Sequence, residues 1–393
     1  MKIVFVSNYF NHHQKPFADS LFRMKAIRFL FIETMEMDAE RVAMGWKSDL
    51  CPRYVIQSYN GAEGLKRAQR EITCADVVIW GSAPYSLILK RLMSGKLTFR
   101  YAERQFKAGC SRKMLFLRKI KYHFKFEQFR CFYLLASSAF SAADYAKTNT
   151  FTNRAYKWGY FPEAKCNNLE ALMSQKQGLK HHCASILWAG RLIGWKHPDA
   201  SILLAESLKK RGYKFKLTVI GNGHMEQELH MMISEKGLDD CVEMPGAMSP
   251  EKVREHMEKA NIFLFTSDFN EGWGAVLNES MNSGCAVVAS HAIGAVPYLV
   301  KHKENGLIYH SGNIDELYEN VKYLLDNPAE QERLGRAAYE TIVGEWNAET
   351  AAERLVALSQ KILDGEKQPD MFEAGPCSRA EIIRDDWFIG DRI

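Results

Sequence analysis

Short apolar runs alternate with longer stretches of helical spacing through almost the whole chain. The first run, 3–6, precedes a polar loop and a helix predicted from Pro16 onward. Further strands are predicted at 29–35, 74–84, 97–104 and 132–138, with a short one at 155–163. Continuously apolar runs of this length suit strands buried on both faces, as in parallel sheets with helical crossovers. Residues 164–183 are polar, carry no strand signal and read as an interdomain linker. After them the alternation restarts. Strands are predicted at 185–192, 214–223, 241–246, 261–267, 285–291 and 306–312. Helices are predicted at 197–213, 224–236, 249–260, 297–300, 314–327, 329–343 and 346–363. Ser249-Pro250-Glu251 has the make-up of a helix start. Residues 364–393 take no assignment.

The alternation predicts an α/β chain of two doubly wound domains: 1–165, a linker at 166–183, 184–345, and a terminal helix and tail at 346–393 that crosses back to the first domain. In such sheets ligands bind beyond the carboxyl ends of the strands. Two facing domains would hold a ligand between them. The length of 393 residues agrees, since it exceeds what one core ordinarily serves.

Composition changes this picture little. Charged residues are 25% and hydrophobic ones 47%, the ordinary globular balance. A net charge of +5 is too mild to suggest a nucleic-acid binder. The apolar opening at 3–6 is too short for a secretory signal, and no run of about eighteen apolar residues suggests a spanning helix. The nine cysteines form no Cys-x-x-Cys pair and read as reduced thiols in the cytoplasm. The His pairs at 12–13 and 181–182 lack a second ligand pair at zinc spacing.

The candidate chemistry clusters after three predicted strands. The stretch 270–284, NEGWGAVLNESMNSG, lies between two apolar runs. Gly272 and Gly274 permit close backbone approach. A helix starting near Gly274 would aim the N–H groups of Gly274, Ala275 and Val276 outward, where they suit phosphate. Glu271 and Glu279 would repel phosphate but accept hydrogen bonds from hydroxyls on either side of it. Hydroxyls, phosphates and hydroxyls in that order describe a nucleotide-sugar. Gly190-Arg191 and Lys196 follow another strand, and their cations suit a diphosphate leaving group. The turn Gly221-Asn222-Gly223 follows a third. No Gly-x-Gly-x-x-Gly follows the first strand, which argues against a nicotinamide dehydrogenase.

Together, Gly190-Arg191 with Lys196, the turn at 221–223, EGWGAVLNE at 271–279 and IGAVPYLV with NGLIY at 293–309 resemble the retaining glycosyltransferases of family 4. The likeness covers 184–346. In the first half, SNYFNHH (7–13), LTFRYAER (97–104) and YKWGYFPE (156–163) are similar to members that build exopolysaccharide or lipid-linked saccharides. The resemblance implies the GT-B fold, two Rossmann-like domains across a cleft. It implies that Arg191 and Lys196 bind the donor diphosphate, that Glu271 meets donor-sugar hydroxyls and that Glu279 holds the ribose. Gly190, Asn222, Gly223, Gly272, Trp273, Gly274, Ala275, Val276 and Gly294 would line the donor site, with Ala295 near it. A UDP-sugar is the expected donor, as a substrate rather than a cofactor. No Asp-x-Asp occurs, so no metal is expected. The first loop departs from the family pattern in having no glycine pair. RYAER stands where a cleft histidine is usual. His12, His13, Arg100, Glu103 and Arg104 are therefore the cleft or acceptor candidates. A retaining outcome follows from the resemblance alone, with front-face substitution as the expected route. A GT-B epimerase acting on a UDP-sugar and a non-catalytic nucleotide-sugar-binding regulator remain alternatives.

Residues 100–130 hold ten Lys or Arg against Glu103 and Glu127, with aromatics interleaved in MLFLRKIKYHFKFEQF. Such a run suits an anionic membrane surface. The expected location is the cytoplasm, peripheral at the inner face of the plasma membrane. The expected acceptor is a saccharide or lipid-linked saccharide.

Overall fold

The computed structural model describes every residue except 39–41, 43–51, 108, 181–182 and 391–393, and of 178–180 only the backbone. The chain divides into two units, Met1–Glu163 with Trp346–Arg384, and Ala164–Glu345 with Asp385–Ile393.

The first unit is built on seven parallel strands: β1 (Lys2–Ser7), β2 (Arg28–Glu33), β3 (Val55–Gln57), β4 (Val77–Trp80), β5 (Thr98–Ala102), β6 (Phe132–Ala136) and β7 (Ala155–Lys157). Their order is β3-β2-β1-β4-β5-β6-β7, so the winding reverses between β1 and β4. Crossovers are α1 (Lys15–Arg23), α2 (Gly61–Cys74), α3 (Ser86–Met93), α4 (Arg112–Tyr122), extended by a π-helical turn at His123–Glu127, and α5 (Ser141–Ala146). Strand β3 has three residues, too few to leave a periodic signal, and it was absent from the predicted strands. Its place is set by pairing: Val55, Ile56 and Gln57 stand against Phe31, Ile32 and Glu33.

Arg91 is fully buried in this unit. Its guanidinium donates to the carbonyls of Ile72, Ala75, Asp76 and Leu97 at 2.6–3.0 Å and to the Thr98 hydroxyl at 3.1 Å. It gathers the end of α2 and the entry to β5. A planar five-donor fork makes such a buried cation tenable. Burial pulls its pKa down to about 10.

The second unit has six parallel strands: β8 (Ala184–Ala189), β9 (Phe215–Ile220), β10 (Val242–Gly246), β11 (Ile262–Phe265), β12 (Ala286–Ser290) and β13 (Leu307–Tyr309). The order β10-β9-β8-β11-β12-β13 places the reversal between β8 and β11. Its helices are α6 (Leu169–Lys180), α7 (Pro198–Lys210), α8 (Glu226–Glu235), α9 (Pro250–Lys259), α10 (Val276–Asn282), α11 (Val296–Leu299), α12 (Ile314–Asp326) and α13 (Pro328–Gly344). The last helix, α14 (Ala348–Leu363), returns to the first unit and packs on α1.

Two expectations are corrected here. The predicted linker 166–183 is mostly α6. Leu169, Leu172 and Met173 pack with Tyr339 of α13, at the i, i+3 and i+4 spacing of an amphipathic helix. The signal was hidden because Lys176 occupies a core position, only 4% exposed, donating to the carbonyls of Met257 and Ala260. The predicted helix at 274 starts two residues later, at Val276, because Gly274 takes φ +88°, outside the right-handed helix.

As far as it is described, to residue 390, the unassigned tail forms no helix or long strand beyond the end of α14. Residues 377–380 pair with 155–157 along the free edge of β7. Residues 385–390 lie in the second unit, where Trp387 Nε1 donates to His291 O at 3.0 Å and Phe388 packs on His310. Among the described residues no helix is long and apolar enough to cross a membrane.

Candidate active site

In the second unit the strand reversal brings two loops together. One follows β8 (190–197) and the other follows β11 (266–275). Neighbouring strands at a reversal send their connections to opposite sides, which leaves a crevice at their carboxyl ends. The loops are tied by backbone and hydroxyl bonds. Asp268 N donates to Trp195 O at 3.0 Å, and Thr266 Oγ1 donates to Lys196 O at 2.7 Å. Trp188 Nε1 holds the same Thr266 hydroxyl from the core at 2.8 Å.

This tie places Lys196 Nζ 2.6 Å from Glu271 Oε2, and Ser267 Oγ donates to that same oxygen at 3.1 Å. The two side chains retain 14% and 10% exposure, so the pair is shielded but reachable. Arg191 is exposed, its guanidinium 5.7 Å from the Trp195 ring. Lys196 Nζ lies 4.9 Å from that ring. Trp195 is therefore a shared platform for both cations. The sequence reading passed over it, although an aromatic between Arg191 and Lys196 is a legible signal.

The turn after β9 supports the same loop. Leu192 N donates to Asn222 O at 2.7 Å, and Met225 N to Leu192 O at 3.1 Å. Gly223 has φ +156°, and a Cβ there would overlap the Leu192 carbonyl. Its glycine is required by this close approach. Asn222 and Gly223 are exposed beside Gly190.

The 271–276 loop is anchored inward by Trp273. Its indole is wholly buried, with Nε1 donating to Asn278 Oδ1 at 2.9 Å. The residue is buried whole, so it supports the loop from within. Gly294 N donates to Glu271 O and Ala295 N to Trp273 O, both at 3.2 Å, so the loop after β12 is laced to this one. Among the described residues the N–H groups of Gly274, Ala275 and Val276 meet no protein acceptor. Glu279 sits one turn further along α10. Burial raises its pKa to about 7, with Arg254 pulling the other way. A carboxyl so placed is half neutral near pH 7.

In the first unit His12 and His13 follow β1, their rings 3.8 Å apart. Burial, and then the neighbouring His12, lower the His13 pKa to about 3, so its ring is neutral. His13 faces Tyr160 nearly in parallel, at 6.4 Å. Tyr160 OH donates to Glu103 Oε1 at 2.7 Å, and Lys107 Nζ donates to Glu103 Oε2 at 2.8 Å. Tyr101 meets Tyr160 edge-on at 5.8 Å. His12, His13 and Glu103 therefore come together with two tyrosines that sequence reasoning missed. Arg100 and Arg104 do not join them. Arg100 points to the other face of β5, stacks 4.1 Å over Trp80 and donates to Gly81 O at 2.5 Å. Arg104 is buried and paired with Asp144 at 3.4 Å. Strand alternation explains the division, since Tyr101 and Arg100 must face opposite ways. Among the described residues no three His, Cys, Asp or Glu side chains gather as a metal site.

Residues 171–341, within the second unit, match the model of the family Glycosyl transferases group 1. The amylovoran biosynthesis glycosyltransferase AmsK of Erwinia amylovora is 28% identical over 187 residues, 46% of this chain and 46% of that protein. The alpha-D-kanosaminyltransferase of Streptomyces kanamyceticus is 25% identical over 202 residues, 51% of this chain and 52% of that protein. The chain thus spans about half the length of the curated relatives it matches. The structure of Anabaena HepE in complex with UDP aligns with 93% of this chain and 99% of its own, at a TM-score of 0.65 and 16% identity. At that identity the likeness defines the fold: the two doubly wound sheets are those of a GT-B protein.

Proposed function

We propose that the protein is a retaining glycosyltransferase of family 4 that moves a sugar from a nucleotide-sugar, a UDP-sugar in the first instance, to a saccharide or lipid-linked saccharide acceptor in surface-glycan synthesis. The observation that carries this reading is the shielded Lys196–Glu271 pair beside Arg191 at the strand reversal. A diphosphate takes Arg191 and Lys196. Glu271, released from Lys196, accepts hydroxyls of the donor sugar. The open N–H groups at 274–276 add donors to the phosphate, and Glu279 accepts from the ribose. The UDP of the HepE structure and the biosynthetic role in the name of AmsK support the choice of donor and process.

In the reaction the bond from the anomeric carbon to the β-phosphate oxygen breaks. The acceptor oxygen bonds to that carbon on the same face, and the acceptor proton passes to the leaving phosphate. The two fixed cations stabilise the charge that grows there. No metal takes part in this route. His12, His13 and Glu103 are the acceptor-side groups, and residues 100–130 face an anionic membrane at the cytoplasmic side.

The test is thermal shift with UDP-, GDP- and ADP-sugars in EDTA, beside an Arg191→Ala, Lys196→Ala double variant. A ligand-specific rise lost in the variant supports the reading, and no rise with any donor removes it. NMR of the product must show the donor's anomeric configuration retained. An isomerised sugar without nucleoside diphosphate release would make the protein an epimerase. Binding without turnover of any kind would make it a regulator.

A further inference from the structure

Helix α4 turns an apolar stripe to solvent. It packs inward through Leu115, Arg118 and Tyr122, whereas Phe116 and Leu117 are each 65% exposed, Ile120 47% and Phe124 64%. At about 100° per residue these four share one side of the helix. Lys113 lies among them, and Arg112, Lys119 and Lys121 flank them.

Between the first half of this helix and the residues before it is an open cleft of about 570 Å³, lined by Gln105, Phe106, Lys107, Ser111, Met114 and Arg118. Its floor is fixed. Asp144 Oδ2 accepts from the N–H groups of Gln105 and Phe106 at 3.0 and 2.9 Å, and Tyr122 OH donates to Gln105 Oε1 at 3.2 Å. Arg104, Lys107 and Arg118 line it, and a fourth cation, Lys147, lies 5.7 Å from the Phe106 ring. They meet two carboxylates, Glu103 and Asp144. Arg118 lies 5.0 Å over the Phe106 ring and, among the described residues, meets no carboxylate. The cleft is thus cationic, and it opens beside an apolar stripe on the same helix.

We infer that this cleft takes the phosphate-ester head group of an anionic phospholipid, from a bilayer into whose interface α4 lays its apolar stripe. Phe116, Leu117, Ile120 and Phe124 enter the acyl boundary. The surrounding lysines meet neighbouring head groups at the interface. Arg118 donates to the phosphate oxygens as a planar fork. The inference rests on the membrane-facing reading of residues 100–130 and is independent of the sugar-transfer chemistry.

The experiment is co-sedimentation of the full chain with phosphatidylcholine vesicles, with and without phosphatidylglycerol, at rising salt. Phe116→Ser with Leu117→Ser, Arg118→Gln and Lys113→Gln are the variants. Lys113, Phe116 and Leu117 are exposed and Arg118 is partly so, and thermal melts confirm that each variant folds. Binding is expected only to phosphatidylglycerol vesicles, and it is lost with the serine pair. Lys113→Gln weakens it about fivefold, the loss for any one surface cation. Arg118→Gln weakens it more than tenfold, because a charge-assisted hydrogen bond goes with the charge. Equal binding to both vesicles overturns the inference. Equal weakening by Arg118→Gln and Lys113→Gln overturns the cleft, since a diffuse surface field would then suffice. Neither failure touches the nucleotide-sugar thermal shift, so the two readings fall separately.

Discussion

Glu271→Gln is expected to tighten binding of the bare nucleoside diphosphate UDP. Lys196 is held at 2.6 Å by the Glu271 carboxylate, and a phosphate must compete with that partner or tolerate its charge. The coupling follows from exposure. Rupture of a fully buried pair costs about 3–5 kcal/mol, and an exposed pair contributes about 0–1 kcal/mol. With 14% and 10% of the side chains exposed, this pair falls between, at about 1–2 kcal/mol. Removing the carboxylate charge therefore raises UDP affinity by about 5- to 30-fold. The same change removes the acceptor for the donor-sugar hydroxyls, so turnover falls while UDP binds better. Isothermal titration with UDP, beside turnover of the UDP-sugar that gives the thermal shift, reads both. Lys196→Ala should lose most UDP affinity, and the double variant should match Lys196→Ala. Equal or weaker UDP binding by Glu271→Gln would refute the argument, because Lys196 would then not be the phosphate ligand that Glu271 restrains.

Gly223→Ala should destabilise by about 2–3 kcal/mol, because a side chain at φ +156° is strained and its Cβ overlaps the Leu192 carbonyl. The fall in urea midpoint measures it, and UDP affinity should drop with it as the 190–196 loop shifts. Arg91→Leu removes the donor shared by the carbonyls of Ile72, Ala75, Asp76 and Leu97 and should cost about 3–5 kcal/mol, read by the same titration. Glu279 gives a pH signature. Its folded pKa, raised to about 7 from an ordinary 4.5, means that the folded state binds the extra proton. Stability therefore falls as pH rises through about 4.5–7, by about 3 kcal/mol in all. The melting temperature of Glu279→Gln minus that of the native chain should grow between pH 5 and pH 8, and a constant difference would count against it.

The alternating runs carried most of the fold because parallel strands buried on both faces cannot hide their hydropathy. Twelve of the thirteen strands coincide with predicted runs. The exception, β3, is held by register against β2 rather than by any pattern of its own. Helix α6 was read as linker because a lysine stands in its buried row. The carbonyls of Met257 and Ala260 and the sulfur of Cys285, all distant in sequence, make that lysine a core residue.

Residue types and their position after strands were enough to nominate Arg191, Lys196, Glu271 and Glu279. Their pairing was not legible. Whether Lys196 meets solvent or Glu271 depends on how the β8 and β11 loops are tied through Thr266 and Trp195. The division of the first-unit candidates was hidden for the same reason. One residue of β5 turns Arg100 to Trp80 and the next turns Tyr101 to Tyr160. Local pattern encodes which element a residue occupies, because period and propensity are properties of neighbours in the chain. Partners are decided by sheet order, and sheet order is a balance among all the long-range pairings at once.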